Sequence, residues 1–322
     1  MTADYPIEEE PVVGEEPGRR LLLVHAHPDD ETLTTGVTMA RYAAEGVGVT
    51  LVTCTLGDEG EVIPAELRHL ASDRDDTLGA HRAGELVRAM AALGVPDHRL
   101  LGDGRWRDSG MVWLAPGVAG VAGDVHPDAF ALADLDEAAG LLADVLREVR
   151  PQVVVTYDPD GGYGHPDHVM AHRVTMRAVE LAADDGARPG WQVLAVHWVQ
   201  VATSWARAER RAVLAAAQDG RLPAGMLPPD YAEHPPAVVD DDLLDVVVEA
   251  PEHLPAVTAA LEAHATQVVV RPPWFALSND VAQRLSAREG FRRVRGPRAT
   301  IAESSVAGPA DDLFAGLGLP QR

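Results

Sequence analysis

The sequence predicts an α/β protein: a Rossmann-like, mostly parallel sheet flanked by helices, with a smaller C-terminal α/β region capping the active-site end. Three observations predict it. Short runs rich in Val and Leu (RLLLVHA from Arg20, VTLVTCT from Val49, QVVVTYD from Gln152) are nearly continuous rather than alternating, as strands covered on both faces require. Stretches of helical length separate them, which implies parallel strands with crossover helices. Finally, HAHPDD, LGDEGEV, GDGRWRDSGM and DPDGGYGHPDH each directly follow a strand. Four polar, glycine-containing loops therefore collect at the carboxyl edge, where open parallel sheets bind ligands.

Taken in order, residues 1–18 are acidic and proline-dotted and read as a disordered leader. The first strand starts at Arg20. A helix follows from about Glu31 to Ala44, with Asp29 and Asp30 near its start, where carboxylates suit unpaired amides and the helix dipole. After the second strand, DDTLGAHRAGELVRAMAALG reads as a helix ending at Gly94. HRLLG is a brief third strand. Residues 102–133 lack a period and read as a long loop, of a length that is usually functional or disordered. LDEAAGLLADVLREVR is a helix, QVVVTYD the fourth strand, DHVMAHRVTMRAVELAADDG a helix and WQVLAVHWVQVA the fifth strand. Farther on, RAERRAVLAAAQDG is helical, 220–240 a proline-rich loop, DLLDVVVEA a strand, PAVTAALEAHATQ a helix and FRRVRG a late strand. The expected division is a leader at 1–18, a catalytic α/β domain at 19–202 and a capping region at 203–322.

A net charge of -23 argues against nucleic acid or anionic membrane partners, which need clustered cations. The basic residues are all Arg, so Schiff-base chemistry on a lysine is excluded. The lone Cys54 cannot form an internal disulfide and reads as a small buried hydrophobe in a reducing compartment. No secretory pattern and no membrane-spanning apolar run is evident, so a cytoplasmic location is expected.

The chemistry lies in HAHPDDET at 25–32 and GGYGHPDHV at 161–169. His27 and Asp30, with His168 from the second run, make a two-His, one-carboxylate set for a borderline divalent ion with positions open to water and substrate. The donors suit one ion per subunit, zinc or ferrous iron, and do not choose between the two. Asp29 adjoins a ligand yet points elsewhere, and is the expected general base. His165 is the expected acid or oxyanion stabiliser, and Asp167 its orienting partner. His25, His172 and His264 read as packed or supporting histidines. A ferrous oxygenase can use the same donors, but the βα alternation and the extra Asp29 favour hydrolysis. A non-catalytic sugar-binding metalloprotein needs neither Asp29 nor His165. GxGxxG is missing after the first strand, which argues against a dinucleotide site.

At HPDDE and HPDH the chain resembles the LmbE-like zinc deacetylases, which hydrolyse N-acetyl groups on amino sugars and related amides. VTCTLGDEGEVI, HRAGEL, GRWRDSGM, AHATQVVV and DLFAGLG are similar to the mycothiol-biosynthesis branch of that family. The resemblance runs from about residue 19 to 318 and lapses over 112–133 and 205–240. It implies His27, Asp30 and His168 as the zinc site, Asp29 as base, and His165 oriented by Asp167. It also implies that Tyr163 moves over the acyl group and that Arg82, Asp108, Met111 and Glu61 line the substrate pocket. The implied partner is a small amino-sugar inositol, 1D-myo-inosityl 2-acetamido-2-deoxy-α-D-glucopyranoside (GlcNAc-Ins), hydrolysed to GlcN-Ins and acetate. The related mycothiol S-conjugate amidases carry a lysine soon after HPDDE, where this chain has TLTTG. Oligomeric state is left open.

Overall fold

The computed structural model describes residues 18–115, 118–121, 123, 125–185, 188–230, 237–297 and 308–319. The acidic leader, apart from Gly18, lies outside them. The first half of the chain forms β1 (Arg20–His25), α1 (Asp30–Ala44), β2 (Gly48–Thr53), α2 (Leu78–Leu93), β3 (Asp97–Leu100), β4 (Val112–Ala115), β5 (Val118–Gly120) and α3 (Leu135–Val149). The second half forms β6 (Val153–Thr156), α4 (Gly161–Gly164), α5 (Pro166–Ala183), β7 (Ala195–Ala202), α6 (Thr203–Gln218), β8 (Val238–Val239) and β9 (Val246–Glu249). It closes with α7 (Leu254–Ala263), β10 (Val269–Arg271), β11 (Trp274–Ala276), β12 (Gln283–Arg284) and β13 (Arg288–Arg295).

The main sheet runs β3-β2-β1-β6-β7-β13-β9, with β8 pairing β7. Its first five strands are parallel; β13 runs antiparallel to both β7 and β9. The apolar runs are continuous because both faces are covered. Along β1, Leu21 and Leu23 pack with α1, α2 and α7, whereas Leu22 and Val24 pack with α3 and α5. Cys54 is buried in the second of these layers, as a small hydrophobe should be.

Strand order reverses between β1 and β6, which are hydrogen-bonded neighbours with Leu21 opposite Val153. Such a reversal leaves a crevice beyond the carboxyl ends, because the loops leaving the two strands turn to opposite faces. The HPDD run leaves β1 and the HPDH run leaves β6, so the two motifs face each other by topology.

Two regions differ from their sequence signal. Residues 102–133, which show no period, contain the β4–β5 hairpin, pairing Val112 with Gly120. Its apolar side chains Val112, Trp113 and Leu114 are exposed, so it lacks the buried face that periodicity detects. The C-terminal residues both extend the main sheet through β9 and β13 and carry the segment after α7 against α2 and the loop after β2, where Thr266 bonds Glu85 and Gln267 bonds the Glu61 carbonyl. No described helix is long and apolar enough to cross a membrane.

Candidate active site

Asp30 is the hub. Its Oδ2 accepts the His27 amide at 2.9 Å and the Tyr157 hydroxyl at 2.8 Å. The same oxygen lies 3.3 Å from His27 Nδ1 and 3.2 Å from His168 Nε2. Pro166 opens α5 at a position where a missing N–H costs nothing, and His168 sits in that first turn.

The tautomers follow from the outer contacts. His168 Nδ1 lies 3.1 Å from the Gly161 carbonyl, which can only accept, so Nδ1 carries the proton and Nε2 a bare lone pair. That buried Nε2 makes no hydrogen bond of proper alignment despite its closeness to Asp30. His27 Nε2 points at Asp167 Oδ2 at 3.2 Å and at Asp108 Oδ1 at 3.5 Å, which leaves Nδ1 free to face Asp30. Two unprotonated ring nitrogens and a carboxylate oxygen converging in a buried space repel one another unless a cation lies among them. The residues present therefore fit a divalent ion.

The electrostatics agree. Burial works against charge on His27, yet Asp108, Asp167 and Asp30 together raise its pKa well above the imidazole range. Burial opposes ionisation of Asp30 too, but His168 and His27 hold it well below the carboxylate range. A field that favours a proton there equally favours a metal cation. Among the described residues the triads whose donor atoms all lie within 4.8 Å of one another are His27, His165, His168 and His27, Asp108, Asp167, and Asp30 is in neither. The whole cluster is thus rich in donors, and Asp30 is the one carboxylate within 3.3 Å of both expected ligand histidines.

Asp29, beside the hub, is partly exposed. Burial of its carboxyl group pushes the pKa up to about 6, against the pull of Arg82 and with the push of Asp30. Arg82 is itself buried: Nη2 lies 3.3 Å from Asp29 Oδ2 and donates to the Pro28 carbonyl, and Nη1 donates to the Gly57 carbonyl at 2.8 Å. His165 is lowered well below the imidazole range by burial and by His27 and His168, so it is neutral. Its Nδ1 accepts the Asp167 amide at 3.2 Å, which leaves the proton on Nε2.

The Asp167 carboxylate does not orient His165. It takes the Ser109 amide at 2.8 Å and the Ser109 hydroxyl, and bonds His27 Nε2. Asp108 is instead the carboxylate nearest His165, its Oδ1 4.0 Å from Nε2. Tyr163 sits edge-on to His168 with centroids 5.0 Å apart and stacks on Trp113 at 6.0 Å. Met111 is half-buried just past Asp108 and Ser109. The Glu61 side chain is exposed, and only its carbonyl is engaged, by Gln267. Tyr157, Ser109, Glu31 and His264 were not singled out for the site by sequence reasoning. Their contacts join residues 58 to 233 positions apart, and no local spacing signals them.

A family model described as "GlcNAc-PI de-N-acetylase" (PIG-L) matches residues 22–179. Over 94% of its length the chain is also 53% identical to the 1D-myo-inositol 2-acetamido-2-deoxy-alpha-D-glucopyranoside deacetylase of Streptomyces avermitilis, of which it covers 98%. The chain belongs to the PIG-L family. The deacetylase of the same name from Thermobispora bispora is 52% identical over 93% of this chain and 99% of its own. Among solved structures, the 4-carboxy-2-hydroxymuconate hydratase GalB of Pseudomonas putida KT2440 superimposes with a TM-score of 0.52 at 18% identity, covering 90% of this chain and all of that one. At that identity the likeness is one of fold, and the PIG-L family assignment rests on the sequence relatives.

Proposed function

We propose that this PIG-L family member hydrolyses the N-acetyl group of GlcNAc-Ins, releasing acetate and GlcN-Ins in mycothiol biosynthesis. The observation that carries the reading is the convergence of His27 Nδ1, His168 Nε2 and Asp30 Oδ2 next to a carboxylate with a raised pKa, in a chain 53% identical to a deacetylase of that name. One zinc ion, held by these three residues, would lower the pKa of a water and polarise the acyl oxygen.

The chain's own groups supply the rest. Asp29 takes a proton from the attacking water; its raised pKa suits a group that must both accept and surrender one. His165, neutral with the proton on Nε2, donates a hydrogen bond to the oxyanion of the tetrahedral intermediate. When the C–N bond breaks, the nitrogen needs a proton, delivered by Asp29 or relayed through His165. Asp167 and Asp108 hold His27 from behind. Tyr163 covers the acyl side, while Met111 and Glu61 line the sugar side of the pocket.

The test is acetate release from GlcNAc-Ins measured beside bimane-mycothiol cleavage, on metal-stripped protein restored with zinc or ferrous iron. Metal-dependent acetate release that dominates conjugate cleavage supports the reading and ranks the two metals. Dominant conjugate cleavage makes the enzyme an S-conjugate amidase. Tight metal binding with neither reaction overturns the substrate assignment.

A further inference from the structure

Asp29 and Asp30 are adjacent in sequence and must do different things. Asp30 turns inward to the histidines, and a residue beside it in ordinary helical geometry points about a quarter-turn away. The chain obtains a sharper divergence by holding Asp29 at φ 126° and ψ -34°, a conformation that side-chain-bearing residues rarely adopt. Strain of this kind persists only where the surroundings over-determine it.

The surroundings hold the backbone polar groups of this turn. The carbonyl before Asp29 is taken by Arg82 Nη2. The Asp29 amide donates to Glu31 Oε2 at 2.9 Å, and its own carbonyl accepts Thr32 and Leu33 amides at 3.0 and 2.9 Å. Glu31 is held from its other oxygen by His264 Nε2 at 2.8 Å, across 233 residues of sequence, and both side chains are wholly buried. Two facing charges so deeply buried are weak evidence for stability, since desolvation offsets most of their attraction. Geometry gives them another use, because the acceptor they fix is the one that pins the strained amide.

We propose that Glu31, His264 and Arg82 form a clamp that holds the Asp29 backbone in its strained conformation and so aims the base at the attacking water. They are positioning residues, and His264 makes the end of α7, far along the chain, part of the catalytic apparatus. This rests on Asp29 being the general base.

The test is a double-mutant cycle. Glu31→Ala and His264→Ala are each measured alone and combined with Asp29→Ala, with zinc content and Tm recorded for every variant. Alone, each is expected to lower kcat by roughly 10–100-fold, the range for groups that orient a reacting residue. KM is expected to move less than about threefold, since substrate binding is untouched. In the Asp29→Ala background the further loss is expected to be under about twofold, because the residue acted upon is gone. Hydrogen exchange of the 25–33 segment in metal-free protein should speed up in both single variants. If Glu31→Ala does not fold, Glu31→Asp replaces it, keeping the charge but too short to reach both partners. An equal loss in the Asp29→Ala background, or a change in KM alone, overturns the clamp and leaves the base standing. Unchanged kcat in Asp29→Ala itself overturns the base, and the clamp with it.

Discussion

Replacing Tyr157 with Phe isolates one hydroxyl at the centre of the site. That hydroxyl donates to Asp30 Oδ2 at 2.8 Å, accepts the Ala26 amide at 2.9 Å and lies 3.3 Å from His25 Nδ1, its weakest contact. The ring, stacked on His168 at 4.3 Å, is kept by Phe, so packing barely changes. Two costs follow. The buried Ala26 N–H loses its acceptor, at about 1–3 kcal/mol, and a charge-assisted bond to Asp30 is lost, at about 1.5–3 kcal/mol. Partial relaxation makes about 3 kcal/mol a fair central value for metal-free protein. Over 322 residues at about 2.1 cal/mol/K each, the unfolding entropy is about 0.7 kcal/mol/K, so Tm should fall by about 4 °C. With Asp30 no longer held, zinc affinity should fall by about tenfold or more. Calorimetry on stripped protein reads the first effect and competition against a chelator the second. If both Tm and affinity match the parent enzyme, the hydroxyl does not hold Asp30, and the account of the hub is wrong.

Three other outcomes are expected. Gly161 has φ +64°, and a Cβ there would lie 2.7 Å from the Val169 amide nitrogen and 2.8 Å from His168 Cβ; Gly161→Ala should cost about 1–2 kcal/mol in left-handed strain alone and lower bound zinc measured by elemental analysis. Ser109→Ala removes a donor to Asp167, the partner of His27 Nε2, and should weaken zinc binding by about tenfold in the same chelator competition. Burial pushes the pKa of Glu289 up to about 7 against the Thr38 and Val37 bonds that lower it. A carboxyl group raised in the folded state stabilises below its unfolded pKa and loses that contribution as pH rises through about 7. Between pH 5 and 8 the Tm of Glu289→Gln should therefore decline less than that of the parent, and parallel declines would contradict the shift.

The sheet was legible because its strands are doubly buried and the loops that follow them are polar and glycine-containing. Continuous apolar runs marked β1, β2 and β6, and topology then brought the two histidine motifs together without knowledge of any contact. The structure also bears out the reading of His25 as a packed histidine: it is buried between Tyr157 and Thr35. Local spacing failed where partners are remote. Asp167 lies two residues from His165, its expected partner, yet a helix start sends such neighbours in different directions, and its carboxylate meets His27, 140 residues away. Arg82 on a helix is ordinarily a solvated charge, and only the fold reveals that it is buried against the Pro28–Asp29 turn. The hairpin of β4 and β5 was invisible for the opposite reason, since its apolar residues face outward.

A hydratase shares this fold at 18% identity, so the sheet and its crevice do not decide the chemistry. The decision is made within a few residues of the switch point. Asp30 faces two ring nitrogens left unprotonated by their outer partners, which calls for a cation rather than a redox cofactor. Asp29, one residue away, is turned aside by a strained backbone, and its raised pKa suits the proton exchange with water that the proposed reaction asks of it. His165 is kept neutral chiefly by burial, so in the proposed reaction it offers an N–H to negative charge as that charge forms. A cation, a base and a neutral donor around one space are complementary to the tetrahedral adduct of water and an amide more than to the flat amide itself. This complementarity, rather than the parallel sheet beneath it, is what the HPDD and HPDH runs encode.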